Sequence, residues 1–219
     1  MTTTDWRNSS IKMYHQPIKT TPNQLCQTVD SRLSFVSEFD PWVYLVERKG
    51  QQHILKFSDL SAGHRREPIN FEIKLLNKAH SVLGITHLLE DYSARGEQTG
   101  IYAILKEFFP GSELYNHDYD PRNYRSQGFS NGYRHLSSLP PCFKLQVSET
   151  VNQLHELRIA DLDLHGGNII LNLAAKRAKI VDIDTARIFG EPEKDALNLS
   201  RFKKKDYLDI KRLFYYVKC

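Results

Sequence analysis

The stretch Asp163-Leu164-His165-Gly166-Gly167-Asn168, with Val181-Asp182-Ile183-Asp184 downstream, decides the fold of this chain. Apolar runs at 168–171 and 178–181 predict two short strands joined by a polar turn. If these strands pair, Asn168 and Asp182 meet at neighbouring ends, and Asp163 lies on the loop beside them. Carboxylate and amide oxygens are ligands that suit magnesium, which also keeps phosphate oxygens in its shell. The stretch therefore predicts a metal–phosphate site, with a carboxylate that could receive or orient an attacking hydroxyl.

A lysine and a glutamate upstream are candidates for the same site. Alternating residues at 42–47 and 53–57 predict two strands joined by a turn, and Lys56 lies inside the second. An ammonium among apolar neighbours is costly unless it finds an anionic partner. A helical pattern at 71–79 places Glu72 beside its apolar side. Glu67 is a second candidate partner, but it precedes Pro68, where a helix is better placed to start than to continue.

Taken in order, these motifs resemble the protein kinase-like superfamily. Asp163 matches the catalytic-loop Asp, Asn168 the metal-binding Asn, and Asp182 the metal-binding Asp of the Asp-Phe-Gly motif. The resemblance implies that ATP is the cofactor and that Asn168 and Asp182 hold magnesium (Mg). It also implies that Lys56 binds the α- and β-phosphates and pairs with Glu72.

A predicted hairpin at 85–92 and 100–109 leads into a segment that looks like the kinase hinge, Phe109-Pro110-Gly111-Ser112-Glu113-Leu114. By that resemblance the backbone of Glu107 and Phe109 would bind the adenine edge, and Glu113 could reach the ribose. Lys106 falls where the family usually has an apolar residue or Thr at the back of the nucleotide pocket. Either Lys106 turns outward, or the pocket is polar at its rear.

Three positions depart from the family pattern. The segment 31–41, where a glycine-rich phosphate-covering loop is expected, contains no glycine, so close backbone approach to phosphates is less easy. Asp161 replaces the usual His two residues before Asp163. Asp184 replaces the Gly after the metal-binding Asp, and it could reach a second metal or simply bond Thr185 or a nearby backbone amide.

The expected fold class is α+β, a two-lobed protein kinase-like fold with a β-rich N-lobe and a shortened helical C-lobe. The expected division is an extension at 1–24, the N-lobe at 25–109 and the C-lobe at 110–219, with an insertion at 115–141 that is either a substrate-facing loop or loosely packed. Helical spacing predicts a helix at 142–157. A last helix at 206–217 resembles the one that anchors the catalytic loop, with Asp209 as its buried anchor. A C-lobe this short is similar to that of compact bacterial effector kinases and lipopolysaccharide core heptose kinases.

Composition sets the remaining expectations. The 219 residues are 40% hydrophobic and 26% charged, with no membrane span, no signal peptide and three scattered cysteines. This favours a cytoplasmic setting, which for a secreted effector would be a host cytosol. The run Lys203-Lys204-Lys205 is either a solvated face or a docking site for an acidic activator. Nucleic acid binding is not indicated.

Three functions remain open. The preferred one is an ATP-dependent Ser/Thr protein kinase. The second is a kinase for a small hydroxyl-bearing molecule or sugar-lipid, favoured by the short C-lobe and by His165 with two glycines in the loop. The third is a nucleotide-binding pseudokinase that serves as an interaction module, favoured by the missing glycine-rich loop.

Overall fold

The computed structural model describes residues 20–58, 66–94, 101–114, 139–190 and 192–214; the side chains of 66–68 and 192–194 lie outside that description. The described chain is mixed α/β and agrees with the α+β class predicted from the sequence. It contains a five-stranded antiparallel sheet, a three-stranded sheet and a two-stranded ribbon. No helix in these ranges is both long and apolar enough to cross a membrane.

The elements follow one another in a simple order. The helices are α1 (Pro22–Val29), α2 (Arg66–Lys78), α3 (Pro141–Glu156) and α4 (Pro192–Leu213). The first sheet contains β1 (Ser34–Asp40), β2 (Val43–Arg48), β3 (Gln51–Phe57), β4 (Leu88–Asp91) and β5 (Ala103–Glu107), in the order β1-β2-β3-β5-β4. The smaller sheets contain β6 (Ser112–Glu113), β7 (Ile159–Ala160), β8 (Ile169–Asn172), β9 (Arg177–Ile180) and β10 (Arg187–Ile188).

The strand pairs predicted from alternation are confirmed. β2 and β3 form a hairpin whose turn residues Lys49 and Gly50 both have positive φ, the geometry that matches the twist of the flanking strands. β8 pairs with β9 in the register Ile169 to Ile180. β4 pairs with β5, although β4 is shorter than the predicted 85–92 strand. Ile85 instead forms an isolated parallel bridge with Ile180, which joins β9, the strand leading to Asp182, to the connection between α2 and β4.

The glycine-free segment at 31–41 is largely a strand. Residues 34–40 form β1, which pairs with β2 and carries two register shifts. The chain reverses at Pro41 and Trp42, and Trp42 has a φ of 69°. The nearby ring of Phe39 stacks on Phe108, with 6.3 Å between ring centroids. A two-residue turn closed by proline therefore stands where the resemblance places a glycine-rich loop.

The last helix is longer than predicted. α4 begins at Pro192, fourteen residues before the start of the helix predicted at 206–217. The reason is an inward-facing stripe that recurs every three or four residues through Leu199, Phe202, Asp206 and Ile210. Ile210 packs in the same cluster as the buried face of α3, whose members are Phe143, Val147, Val151 and Leu154. Leu199 and Phe202 pack instead with Ala160 and Phe189. The predicted helix at 142–157 is confirmed as α3.

Candidate functional site

Lys56, Glu72 and Lys106 form a buried ionic group between the five-stranded sheet and α2. Lys56 Nζ lies 3.1 Å from Glu72 Oε2, as the sequence predicts, and Lys106 Nζ lies 2.7 Å from Glu72 Oε1. Glu72 is 1% exposed and therefore serves both ammonium groups without solvent. Lys106 also donates to the carbonyl of Val181 at 3.0 Å. Lys106 thus points inward, and the region behind β3 is polar. The side chain of Glu67, the alternative partner, is outside the description.

Two further carboxylates also contact Lys56. Its Nζ lies 3.1 Å from Asp182 Oδ2 and 2.9 Å from Asp184 Oδ2. The amide of Asp184 donates to Asp182 Oδ1 at 3.2 Å, which fixes the turn that carries both acids. Asp184 therefore contacts Lys56, which was not among the partners expected for it from the sequence. Oxygens of Glu72, Asp182 and Asp184 all lie within 4.8 Å of one another around this ammonium.

The charges in this group stabilise one another. Burial alone would lower the pKa of Lys56, but the charges of Glu72, Asp182 and Asp184 raise it well above its usual range. Burial would likewise raise the pKa of Asp182, but the charges of Lys106 and Lys56 outweigh it and hold that pKa below its ordinary value. Both groups are therefore charged at neutral pH, and the ammonium of Lys56 is shared by three carboxylates.

The loop at 161–168 brings Asp163 and Asn168 to the same region. Asp163 is exposed and has a φ of 48°, and its carbonyl accepts a hydrogen bond from the Asn168 side-chain amide at 3.2 Å. The carbonyl of Asn168 accepts from the amide of Val181 at 2.9 Å. The pairing of β8 with β9 therefore places Asn168 beside the residue before Asp182, as the two apolar runs predict.

A buried aspartate of α4 holds the start of this loop. Asp206 is fully buried, and its carboxylate accepts hydrogen bonds from the amides of Asp161 and Leu162, each at 3.0 Å. His155 Nε2 lies 2.9 Å from the same carboxylate. The prediction that Asp209 is the buried anchor is wrong: Asp209 is half-buried and contacts Arg212 on its own helix. Asp206 lies on the inward stripe of α4, whereas Asp209, three residues later in the helix, lies beside that stripe.

The carboxylate of Asp161 is held from two sides. Arg187 of β10 donates to Asp161 Oδ2 at 2.9 Å, and Lys205 of α4 donates to Asp161 Oδ1 at 2.7 Å. Asp161 itself has a φ of 62°. These bonds join the loop to both β10 and α4 just before Asp163. Sequence reasoning missed Arg187, because nothing in the spacing of residues 161 and 187 indicates a contact.

The segment after β5 lies against β8. The amide of Glu107 donates to the carbonyl of His87 at 2.9 Å, so only its carbonyl could meet a ligand in the predicted way. The Glu107 carboxylate binds the buried Lys179 ammonium at 2.6 Å, and that ammonium lies 5.6 Å from the centre of the Phe109 ring. A Cβ added to Gly111 would lie 2.5 Å from the Leu171 carbonyl, so this close approach requires glycine.

The predicted residues therefore fall into two groups. Lys56, Glu72, Asp182 and the added Asp184 and Lys106 are in direct contact, and Asp163 and Asn168 are joined to them through the backbone of 181–182. Glu113 lies on β6, exposed and in register with Ile170, close in the chain to the Gly111 approach. Apart from 139–141, the predicted insertion at 115–141 lies outside the described residues.

The comparisons with known proteins add no family to this picture. No protein-family model matches the chain, and no curated protein matches its sequence.

Proposed function

We propose that this chain is an ATP-dependent phosphotransferase with the two-lobed architecture of the protein kinase-like superfamily, acting on Ser or Thr hydroxyls of a protein. The observation that carries the proposal is the contact of Lys56 with both Glu72 and Asp182, at 3.1 Å each. These residues come from β3, α2 and the segment after β9, and all three are at the positions that the kinase pattern requires. A purely structural ion pair between Lys56 and Glu72 would not need Asp182, on the segment after β9, as a third partner.

The donor set fits magnesium. Asp182 offers a carboxylate and Asn168 an amide oxygen, and both belong to segments joined by the hydrogen bond from the Val181 amide to the Asn168 carbonyl. Hard oxygen ligands of this type suit magnesium rather than softer metals. Magnesium would neutralise charge on the phosphate oxygens when bound. In the structure, the carboxylates of Glu72, Asp182 and Asp184 share the Lys56 ammonium. When a nucleotide binds, this ammonium would turn toward the phosphates of the nucleotide.

Each remaining residue has a defined part in the proposed reaction. Asp163, exposed on the 161–168 loop, accepts the proton of the attacking hydroxyl. The hydroxyl oxygen forms a bond to the γ-phosphorus as the bond from that phosphorus to the bridging oxygen breaks, and ADP leaves. Glu72 keeps Lys56 oriented. The Glu107 carbonyl and the Phe109 backbone would bind adenine, and Glu113 the ribose.

One observation favours a second candidate, a nucleotide-binding pseudokinase. The β1–β2 turn at Pro41 and Trp42 contains no glycine, and Pro41 has no amide hydrogen to donate. Bare backbone amides over the phosphates normally hold the transferred group in position. A chain that lacks them would bind nucleotide through Lys56 and magnesium but transfer phosphate slowly.

A labelling experiment distinguishes the candidates. The purified chain is incubated with γ-labelled ATP and magnesium, alone, with a mixture of protein substrates, or with sugar and lipopolysaccharide-core acceptors. Labelling of the chain itself or of added protein supports the protein kinase. Turnover only with the sugar acceptors would replace it with a small-molecule kinase. Saturable ATP binding without any transfer would support the pseudokinase, and the absence of both binding and transfer would overturn the proposal.

A further inference from the structure

One outward face of α4 combines unpaired cations with exposed apolar side chains. A groove of about 660 Å³ runs along this face and shares no lining residue with the Lys56 site. We call it the α4 groove; it is lined by Arg158, Ala196, Leu199, Ser200, Lys203, Lys204, Tyr207, Leu208 and Lys211. Most of these positions follow one another at helical spacing, so they form a continuous stripe. From residue 196 to residue 211 the stripe is about 22 Å long at the rise of an α-helix.

The cations of the groove have no acidic partner among the described residues. Lys203, Lys204 and Lys211 take part in no ion pair there, and Arg158 uses one nitrogen for the Phe189 carbonyl while its Nη2 is buried without a partner. The adjacent Lys205 differs, because it pairs with Asp161 at 2.7 Å. The predicted basic run thus contains one lysine with an acidic partner and two, Lys203 and Lys204, that have none among the described residues.

Apolar groups alternate with these cations. Leu208 is 45% exposed and Tyr207 44% exposed on the groove, and Leu197 at its border is 88% exposed. A site for phosphate alone would not need these exposed apolar side chains. A membrane surface would contact a protruding face better than it would contact a groove. Charge and shape together match a peptide that presents acidic and apolar side chains in alternation.

The segments outside the described ranges carry few acidic residues. The segment 1–19 has three basic residues and one acidic residue, and 115–138 has three basic and two acidic. The segments 59–65 and 95–100 have one of each, 215–219 has one basic residue and no acidic one, and Glu191 is a single acidic residue. No such segment has more than two acidic residues, which favours another molecule as the source of the acidic groups.

The groove also has a fixed base. The Tyr207 hydroxyl bonds Asn152 Oδ1, and its ring packs edge-on against His155 with 5.2 Å between centroids. His155 in turn contacts Asp206, which lies beside Tyr207 on the helix. A surface held in this way loses little conformational freedom when a partner binds.

We propose that the α4 groove is a docking surface for an acidic, amphipathic peptide segment of a partner protein. The lysines and Arg158 pair with its carboxylates, and Tyr207 and Leu208 cover its apolar side chains. The proposal does not depend on phosphoryl transfer, because none of these residues belongs to the Lys56 site.

The test is fluorescence anisotropy with a labelled amphipathic peptide that carries Glu and Leu at helical spacing. We expect saturable binding to the full chain. Lys203→Glu/Lys204→Glu/Lys211→Glu should weaken it by roughly tenfold or more, the scale of losing three surface ion pairs and adding repulsion. The charge-matched control, Lys74→Glu/Lys78→Glu/Lys176→Glu, changes exposed lysines elsewhere and should bind within about twofold of wild type. Circular dichroism melting checks that both variants are folded.

A second arm tests the apolar half of the proposal. A peptide with every Leu replaced by Ser keeps the charge and should bind about tenfold more weakly, as should the Leu208→Ser variant with the original peptide. Equal binding of both peptides, or equal loss in the control variant, would overturn the proposal in favour of general charge attraction. Tighter binding to phosphatidylcholine–phosphatidylserine vesicles or to inorganic polyphosphate than to the peptide would overturn it in favour of a membrane or a small polyanion.

Discussion

Glu72 is the residue on which two buried lysines converge, and this arrangement predicts an unequal response to mutation. Glu72→Gln leaves Lys106 without a carboxylate partner inside the protein, which should cost about 3–5 kcal/mol of unfolding free energy. Lys56→Met leaves Glu72 paired with Lys106 at 2.7 Å, so its cost should be about 1–3 kcal/mol. Urea denaturation of both variants measures the difference. A larger loss in Lys56→Met would show that Lys106 does not share the charge of Glu72.

Asp182 carries the next prediction at this scale. Its carboxylate is about one-third exposed, so Asp182→Ala should keep the fold, which circular dichroism can verify. In the proposed transfer this change removes a metal ligand and leaves phosphate charge without compensation, so magnesium-dependent transfer should be abolished. The assay is transfer at saturating ATP and magnesium. Near wild-type activity would remove Asp182 from the proposed metal site.

Asp163 separates catalysis from binding. Its carboxylate is exposed and is not among the partners of Lys56, so Asp163→Ala should keep ATP affinity within a few-fold of wild type. Transfer should fall by roughly 10² or more, the scale of losing a positioned base. Isothermal titration measures the affinity and single-turnover labelling the rate. Should ATP affinity collapse instead, the role assigned to Asp163 would be wrong.

At the scale of the element, α4 acts as the support of the 161–168 loop, and two of its aspartates form a matched pair for testing this. Asp206→Ala removes the acceptor of two buried amides and of His155, and should cost about 3 kcal/mol or more of unfolding free energy. Asp209→Ala removes a half-exposed pair with Arg212, and should cost less than about 1 kcal/mol.

The same pair should differ in activity if the proposed function holds. Loss of the Asp206 carboxylate frees the amides of Asp161 and Leu162, and Asp163 follows directly in the chain. We expect transfer to fall in Asp206→Ala with ATP affinity nearly unchanged, and to remain in Asp209→Ala. Equal effects of the two changes on stability would contradict the assignment of Asp206 as the anchor.

At the scale of the whole molecule, charged groups on both sides of the five-stranded sheet predict how stability depends on pH. The hydrogen bond from Arg32 is the main cause that holds the pKa of Asp30 below its ordinary value of 3.8, and the pKa of Asp182 is lowered as well. A carboxylate with a lowered pKa stabilises the fold above its unfolded pKa, and this stability is lost as the pH falls through the folded pKa. The pKa of Lys56 is raised above its ordinary value of 10.5, so its charge stabilises the fold at every pH below 10.5. This contribution to stability is lost only in strong base.

Burial also lowers the pKa of His53 from its ordinary value of 6.5, so stability should decline slightly as the pH falls below 6.5. The decline should become steeper below about 4, where the two carboxylates contribute. Urea midpoints measured between neutral and strongly acidic pH test this. Asp30→Asn should be less stable at neutral pH, because it loses the charged bonds with Arg32, and its acid decline should be shallower than that of wild type. An unchanged slope would mean that Asp30 does not contribute to the acid dependence.

The sequence by itself determined those parts of the fold that depend on neighbouring residues. Alternation predicts β2, β3, β8 and β9, and helical spacing predicts α3, because local geometry repeats with a fixed period along the chain. Local patterns also predict the strand that carries Lys56 and the helix that carries Glu72, whereas the pairing of these two residues was expected from the resemblance to the kinase pattern. These elements were enough to bring Asp163, Asn168 and Asp182 to one region.

Only the tertiary structure decided which of several similar residues faces inward. Asp206, rather than Asp209, is buried because the phase of α4 is set by its packing on Ala160 and Phe189 in its first half and on the α3 cluster near its end. The start of α4 was predicted fourteen residues too late. The inward turn of Lys106 depends on Glu72, and the contacts of Asp161 with Arg187 and Lys205 join residues 26 and 44 positions apart. Such pairs leave no periodic signal, because their geometry is fixed by the packing of whole elements and not by the chain between them.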